Sequence, residues 1–157
     1  MIIDSLLEFA DAESVVGAAG TALIGDVIDL GATPQDYGNG QPMYLVITVD
    51  TSIITAGTAG TIKFQLASDA QAAIATDGSA TVHLDTGTFV TDDDLLNDLD
   101  AGAVAFVGAV PTGAGRDYER YLGILATIGT TAVSAGAISA FLTADPRRWE
   151  AYADGKN

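Results

Sequence analysis

The chain has 157 residues and carries 21 acidic against 6 basic side chains, a formal net charge of −15, and its length suits one domain that buries about two-thirds of its unfolded surface. A chain this acidic is repelled by polyphosphate and by anionic lipid, which argues against sequence-independent nucleic-acid binding and against a membrane surface. Cysteine is absent, so disulfides and thiolate metal sites are excluded.

At the N-terminus no basic stretch leads into an apolar core, so a secretory leader is not expected. Ile3, Leu6, Leu7 and Ala10 have helical spacing, but residues 15–25 are rich in Gly and Ala without a clear period. Residues 1–25 are therefore expected to form an extended arm, whose apolar side chains need cover from the domain or a neighbour. From residue 26 the dominant period is two, the spacing of half-buried strands. A short strand is expected over 26–30. In 43–50, Met43, Leu45, Ile47 and Val49 share one face. Segment 61–67 sets Ile62, Phe64 and Leu66 against Thr61, Lys63 and Gln65, and 80–85 sets Val82 and Leu84 against Thr81, His83 and Asp85.

Segment 103–110 is apolar on both faces, as in a strand buried on both sides or lying at an interface. Strands over 120–128 and 137–143 complete the set. Gly, Asn and Pro at 38–42, 55–60, 77–79 and 113–115 supply the turns between them. The uncharged run 121–144 has the length of a membrane span, but Gly129, Thr130, Thr131, Ser134 and Gly136 interrupt it, so it reads as two strands and a turn. The pattern over 26–144 is that of an all-β sandwich, jelly roll or barrel. Residues 145–157 are expected to form a short C-terminal helix, with Asp145 as N-cap, Pro146 at the first helical position and Gly155 as terminator. Trp149 and Tyr152, three apart, would share one side of it, either as a plug on the sandwich or as a subunit anchor.

Few residues suggest chemistry. His83 is the single histidine, two residues from Asp85; an acid–base pair is conceivable, but a solvated histidine is the better reading because no further group converges on it. The acidic segment 91–100 places Asp92, Asp94 and Asp98 at alternating positions that resemble a calcium loop. It lacks the mid-loop Gly and terminal Glu of an EF-hand, and a short helix capped by Thr91 or Asp92 is the plainer account. Paired carboxylates of the glycosidase type lack the aromatic lining of a sugar cleft, and Gly113-Ala114-Gly115-Arg116 lacks the context of a phosphate loop. No catalytic residue, resident metal or cofactor is expected. The basic residues are uneven. Lys63 stands alone before Arg116, Arg120, Arg147, Arg148 and Lys156. With Trp149 and Tyr152, the four arginines form a candidate protein-binding patch, set against a reading as scattered solvated charges.

Several segments carry a resemblance in order along the chain. They are Met1-Ile2-Ile3-Asp4-Ser5-Leu6-Leu7-Glu8-Phe9-Ala10-Asp11-Ala12, Val27-Ile28-Asp29-Leu30-Gly31, Gly40-Gln41-Pro42-Met43-Tyr44-Leu45-Val46-Ile47, Thr61-Ile62-Lys63-Phe64-Gln65-Leu66-Ala67-Ser68-Asp69, Glu119-Arg120-Tyr121-Leu122 and Ala140-Phe141-Leu142-Thr143. Together they resemble phage capsid cement, or decoration, proteins of the Bbp16 type. The resemblance implies a jelly-roll-like antiparallel β-sandwich on the outer surface of an icosahedral virion, made in the host cytoplasm. It implies as partners the major capsid protein and further copies of itself, a dimer favoured over a trimer. The competing class is a carbohydrate-binding or tail-associated β-sandwich adhesion module.

Overall fold

A computed structural model describes residues 5–32, 42–55, 60–91, 99–112 and 117–146. Among them a short 3-10 turn, Ser5–Leu7, precedes nine strands: β1 (Glu8–Ser14), β2 (Gly20–Asp29), β3 (Tyr44–Thr55), β4 (Thr61–Asp69), β5 (Thr81–Asp85), β6 (Phe89–Val90), β7 (Val104–Ala109), β8 (Tyr121–Gly129) and β9 (Val133–Thr143). One sheet has the order β1-β9-β3-β7; the other has the order β2-β8-β4-β5, with β6 also paired to β4. All pairings are antiparallel. Leaving aside the two-residue β6, the pairs β1/β9, β2/β8, β3/β7 and β4/β5 nest like the arms of one long hairpin, whose strands are dealt alternately to the two sheets. That is the strand order of a jelly roll.

Alternation explains the core. Leu45, Ile47 and Val49 of β3 face Ile62, Phe64 and Leu66 of β4, with Ile138, Ala140 and Leu142 of β9 against Leu122, Ile124 and Ala126 of β8, in one cluster between the sheets. A second, smaller cluster lies on the outer face of the second sheet. There Ala67, Ile74 and Leu125 pack with Leu23, Val27, Ala80 and Val82. Ile74 belongs to the β4–β5 connection, which the Asp69 carboxylate pins by accepting from the Gln71 N–H at 3.1 Å and the Ala75 N–H at 3.0 Å.

The N-terminal segment differs from a separate arm. β1 pairs with β9, and β2 starts at Gly20 alongside β8, so residues 8–29 are integral to the sandwich. Two features hid them. β1 carries Glu8, Asp11 and Glu13, with register shifts on both sides of Ala10 and a positive φ of 51° at Ala12. β2 contains a bulge between Ile24 and Ile28. Gly25 in that bulge has φ +64°, and a Cβ there would stand 2.0 Å from the Phe9 carbonyl oxygen; β1 and β2 meet here as only glycine allows. The run 121–144 forms β8, a turn through Thr130 and β9. Among the described residues no helix is long and apolar enough to cross a membrane. Of the expected C-terminal helix, residues 147–157 lie outside the described residues.

Candidate functional site

Of the arginine and aromatic patch, Arg120 alone falls within the described residues; Arg116, Arg147, Arg148, Trp149 and Tyr152 lie outside them. Arg120 immediately precedes β8, where its carbonyl accepts the Leu30 N–H at 2.7 Å. Its guanidinium grips Asp29 at the end of β2 in a fork, Nε to Oδ1 at 2.9 Å and Nη2 to Oδ2 at 2.7 Å. The same guanidinium lies 4.9 Å from the Tyr121 ring centre, within cation–π range. The Arg120 bond, and after it the Gly31 N–H, hold the Asp29 carboxyl down at about 2. Arg120 is thus a fixed, half-exposed cation rather than a free one. Asp92, Asp94 and Asp98 also lie outside the described residues, as does the middle of the acidic segment; at its two ends Thr91 and Leu99 are buried.

His83 does not sit in solvent. The β4–β5 pairing shifts register between Leu66↔Leu84 and Ala67↔Val82, which makes His83 the extra residue of a bulge. The bulge breaks the simple alternation, sending Leu84 to the main core and Val82 to the outer cluster. It also turns the imidazole onto Tyr118, with ring centres 3.9 Å apart and planes 21° from parallel. Nε2 is hydrogen-bonded to Ser68 Oγ at 2.7 Å, and that oxygen accepts the Glu119 N–H at 3.0 Å. Thr81 Oγ1 donates to Glu119 Oε1 at 2.9 Å, and the Tyr118 hydroxyl donates to the Pro111 carbonyl at 2.6 Å. Burial pushes the Tyr118 hydroxyl up to about 12.

These bonds tie the exits of β4 and β7 and the first half of β5 to the entrance of β8. A Ser–His pair suggests nucleophilic chemistry, but Ser68 has no exposed surface, so a substrate carbonyl cannot reach its oxygen. Asp85 serves elsewhere, accepting from Lys63 Nζ at 3.2 Å, Gln65 Nε2 at 2.7 Å and the Gly87 N–H at 2.8 Å. Partial burial would raise its carboxyl, yet those donors hold it below the usual carboxylate range.

Two shallow hollows flank the β1–β2 corner. One of about 220 Å³ is lined by residues 15–22 with Ile24, Ala126 and Ile128 and is largely apolar. The other, about 270 Å³, brings together Glu8, Asp11, Glu13 and Asp26. On the opposite flank of the first sheet lies β7, the strand whose sequence is apolar on both faces. It is an edge rather than a strand buried on both sides, and Val107 is 42% exposed. The uncharged run 101–115 was its visible signal. The bonds of Ser68 and Tyr118 left no such mark, because they depend on a bulge and on neighbours far along the chain. The arrangement therefore offers sheet edges at β1, β2, β5 and β7 and an arginine clamped by Asp29.

Among family models, that of Bbp16 matches residues 9–142. A comparison with curated proteins finds no match. The chain belongs to the Bbp16 family, whose name is of the phage type.

Proposed function

From membership of the Bbp16 family, we propose that the chain is a structural virion protein, a capsid cement protein. It sits on the outer capsid surface, binds the major capsid protein and further copies of itself, and carries out no catalysis. The observation that carries this reading is the family match, which runs from β1 to β9 and so takes in nearly the whole sandwich. The charge of −15 is compatible with the outer surface, where the shell separates it from packaged DNA.

The mechanism is linkage. A protein that binds the assembled shell and not its dispersed subunits stabilises the shell by about 2.7 kcal/mol per site at a hundredfold excess over Kd. Repetition over symmetry-related sites multiplies that effect. Arg116, Arg120, Arg147, Arg148, Trp149 and Tyr152 are the proposed contact residues, of the types that dominate protein interfaces. Purified protein added to cement-free capsids is expected to co-sediment with them and to raise their disassembly temperature. Failure to do either would falsify the proposal. Calcium-dependent glycan binding, lost on substitution of Asp92, Asp94 or Asp98, would replace it with the adhesion-module reading.

A further inference from the structure

We propose that residues 147–157 close over the outer face of the first sheet and seat Trp149, the single tryptophan, on the row formed by Phe141, Val46 and Val107. This seat exists in the free chain and does not depend on capsid binding. On a capsid, Arg147 and Arg148 then carry the contact proposed above, and Trp149 supports them from beneath.

In an antiparallel sandwich the outer faces are the ones left to solvent. On the second sheet the β4–β5 connection covers part of that face through Ile74. In the first sheet Leu45, Ile47 and Val49 of β3 and Ile138, Ala140 and Leu142 of β9 point inward, so alternation turns Val46 and Phe141 outward. Val46 lies between Phe141 and Val107 in the pairing. It has no exposed surface and Phe141 only 2%, while Val107 at the rim is 42% exposed. Neither Val46 nor Phe141 belongs to the main core or to the cluster under Ile74. A fully buried side chain touches about 6–12 other residues, more than its neighbours within one sheet layer supply. A further layer of chain therefore covers the row.

The row lies near the end of the sheet where β9 leaves it, since Thr143 pairs with Tyr44 two residues beyond. Four segments outside the described residues adjoin that end: 1–4, 33–41, 113–116 and 147–157. Residues 1–4 lead to Leu7 and residues 33–41 to Met43. Both of these pack on the main core, so the chain enters β1 and β3 from the mouth between the sheets. Residues 113–116, Gly-Ala-Gly-Arg, have no bulky apolar side chain. Residues 147–157 follow from β9, a central strand of this same sheet, through the exposed Ala144 and Asp145. The Asp145 N–H donates to Thr143 Oγ1 at 3.3 Å, which bends the chain as it leaves the strand. From Thr143 to Trp149 the chain can extend up to about 20 Å. Phe141 lies about 7 Å back along the strand, so one reversal brings the indole onto the row.

Charge agrees with this seat. β1, which flanks β9 on the side away from β3, carries Glu8 opposite Phe141, with Asp11 and Glu13 farther along. Arg147 and Arg148 immediately precede Trp149. In a chain of −15, a segment that brings two cations beside a carboxylate-rich strand relieves repulsion. Indole suits the place, because its body covers apolar side chains while its N–H reaches the wet margin.

Fluorescence of Trp149 in the intact chain tests the inference. Native emission is expected at shorter wavelength than in the urea-unfolded chain, with weak quenching by acrylamide, whatever the protein concentration. NMR of methyl and aromatic groups should show the indole in contact with Val46 and Phe141. Val107→Asp, at the exposed rim, should red-shift the emission and raise the quenching while unfolding stays cooperative. Val90→Asp, at an exposed valine of β6 in the other sheet, should change neither. Native emission equal to that of the unfolded chain would overturn the inference. So would Val46 methyls in contact with residues 1–4 or 33–41 in place of Trp149, or a Val107→Asp chain with wild-type emission. Quenching that weakens only as protein concentration rises would overturn it too, by seating Trp149 on a second copy. A seated Trp149 in a chain that ignores capsids removes the cement reading and leaves the seat, whereas an exposed Trp149 in a chain that stabilises capsids does the reverse.

Discussion

Asp29 shows what a single side chain contributes at the open end of β2. Its carboxylate accepts from Arg120 twice and from the Gly31 N–H, and in consequence it releases its proton near 2 instead of 3.8. A carboxyl depressed by folding contributes stability that is complete above about 3.8 and disappears as pH falls through about 2. The gap in urea stability between the wild type and Asp29→Asn should therefore be constant above pH 4 and close toward pH 2. The carboxyl carbon of Asp29, followed by NMR, should titrate with a midpoint near 2, and Arg120→Ala should bring it back toward the ordinary value. A wild-type midpoint close to 3.8 would mean that the fork is not held. Arg120 is visible in the sequence as one of the four arginines of the candidate patch, at the first position of the strand expected over 120–128, but Asp29 could not be matched to it. The two are 91 residues apart, and the β2–β8 register joins them.

Element by element, the regular strands were legible and the irregular ones were not. β4 alternates from Thr61 to Leu66, where β8 keeps register with it throughout, whereas β8 is buried on five successive residues because Leu125 packs into the second cluster on its outer face. β1, the first half of β2 and the His83 bulge hide because inserted residues reset the alternation, which a fixed two-residue period cannot follow. Gly25 is the clearest instance. In the sequence it looks like a break, yet in the fold it lets β2 pass against the backbone of β1 at Phe9 and Ala10. Gly25→Ala should lower stability by about 2–4 kcal/mol, because it adds a steric collision to the strain of a positive φ. Gly31→Ala is the matched control, with φ +90° and open space around its Cβ position. It should cost about 1–2 kcal/mol, from backbone strain alone. Equal losses in urea denaturation would show that the approach of β1 to β2 is looser than the bulge implies.

For the whole molecule, the balance is between a closed apolar interior and a surface whose charges mostly repel. Core residues such as Phe64, Ile62 and Leu122 have no exposed surface and each contributes roughly 1.5–3 kcal/mol of burial, while 21 carboxylates face 6 cations. Salt screens that repulsion without touching the core, as the Debye length falls from about 30 Å at 0.01 M to about 8 Å at 0.15 M. Thermal stability at neutral pH should therefore rise by a few degrees over that range, which corresponds to about 1 kcal/mol for a domain of this size. The same screening acts in the opposite direction on the proposed capsid contact: an arginine patch held to acidic groups on a capsid should loosen as salt is added, which sedimentation of the capsid complex across one salt series reads. A complex that holds equally well from about 0.01 M to about 0.15 M salt would mean that the arginines do not carry the contact.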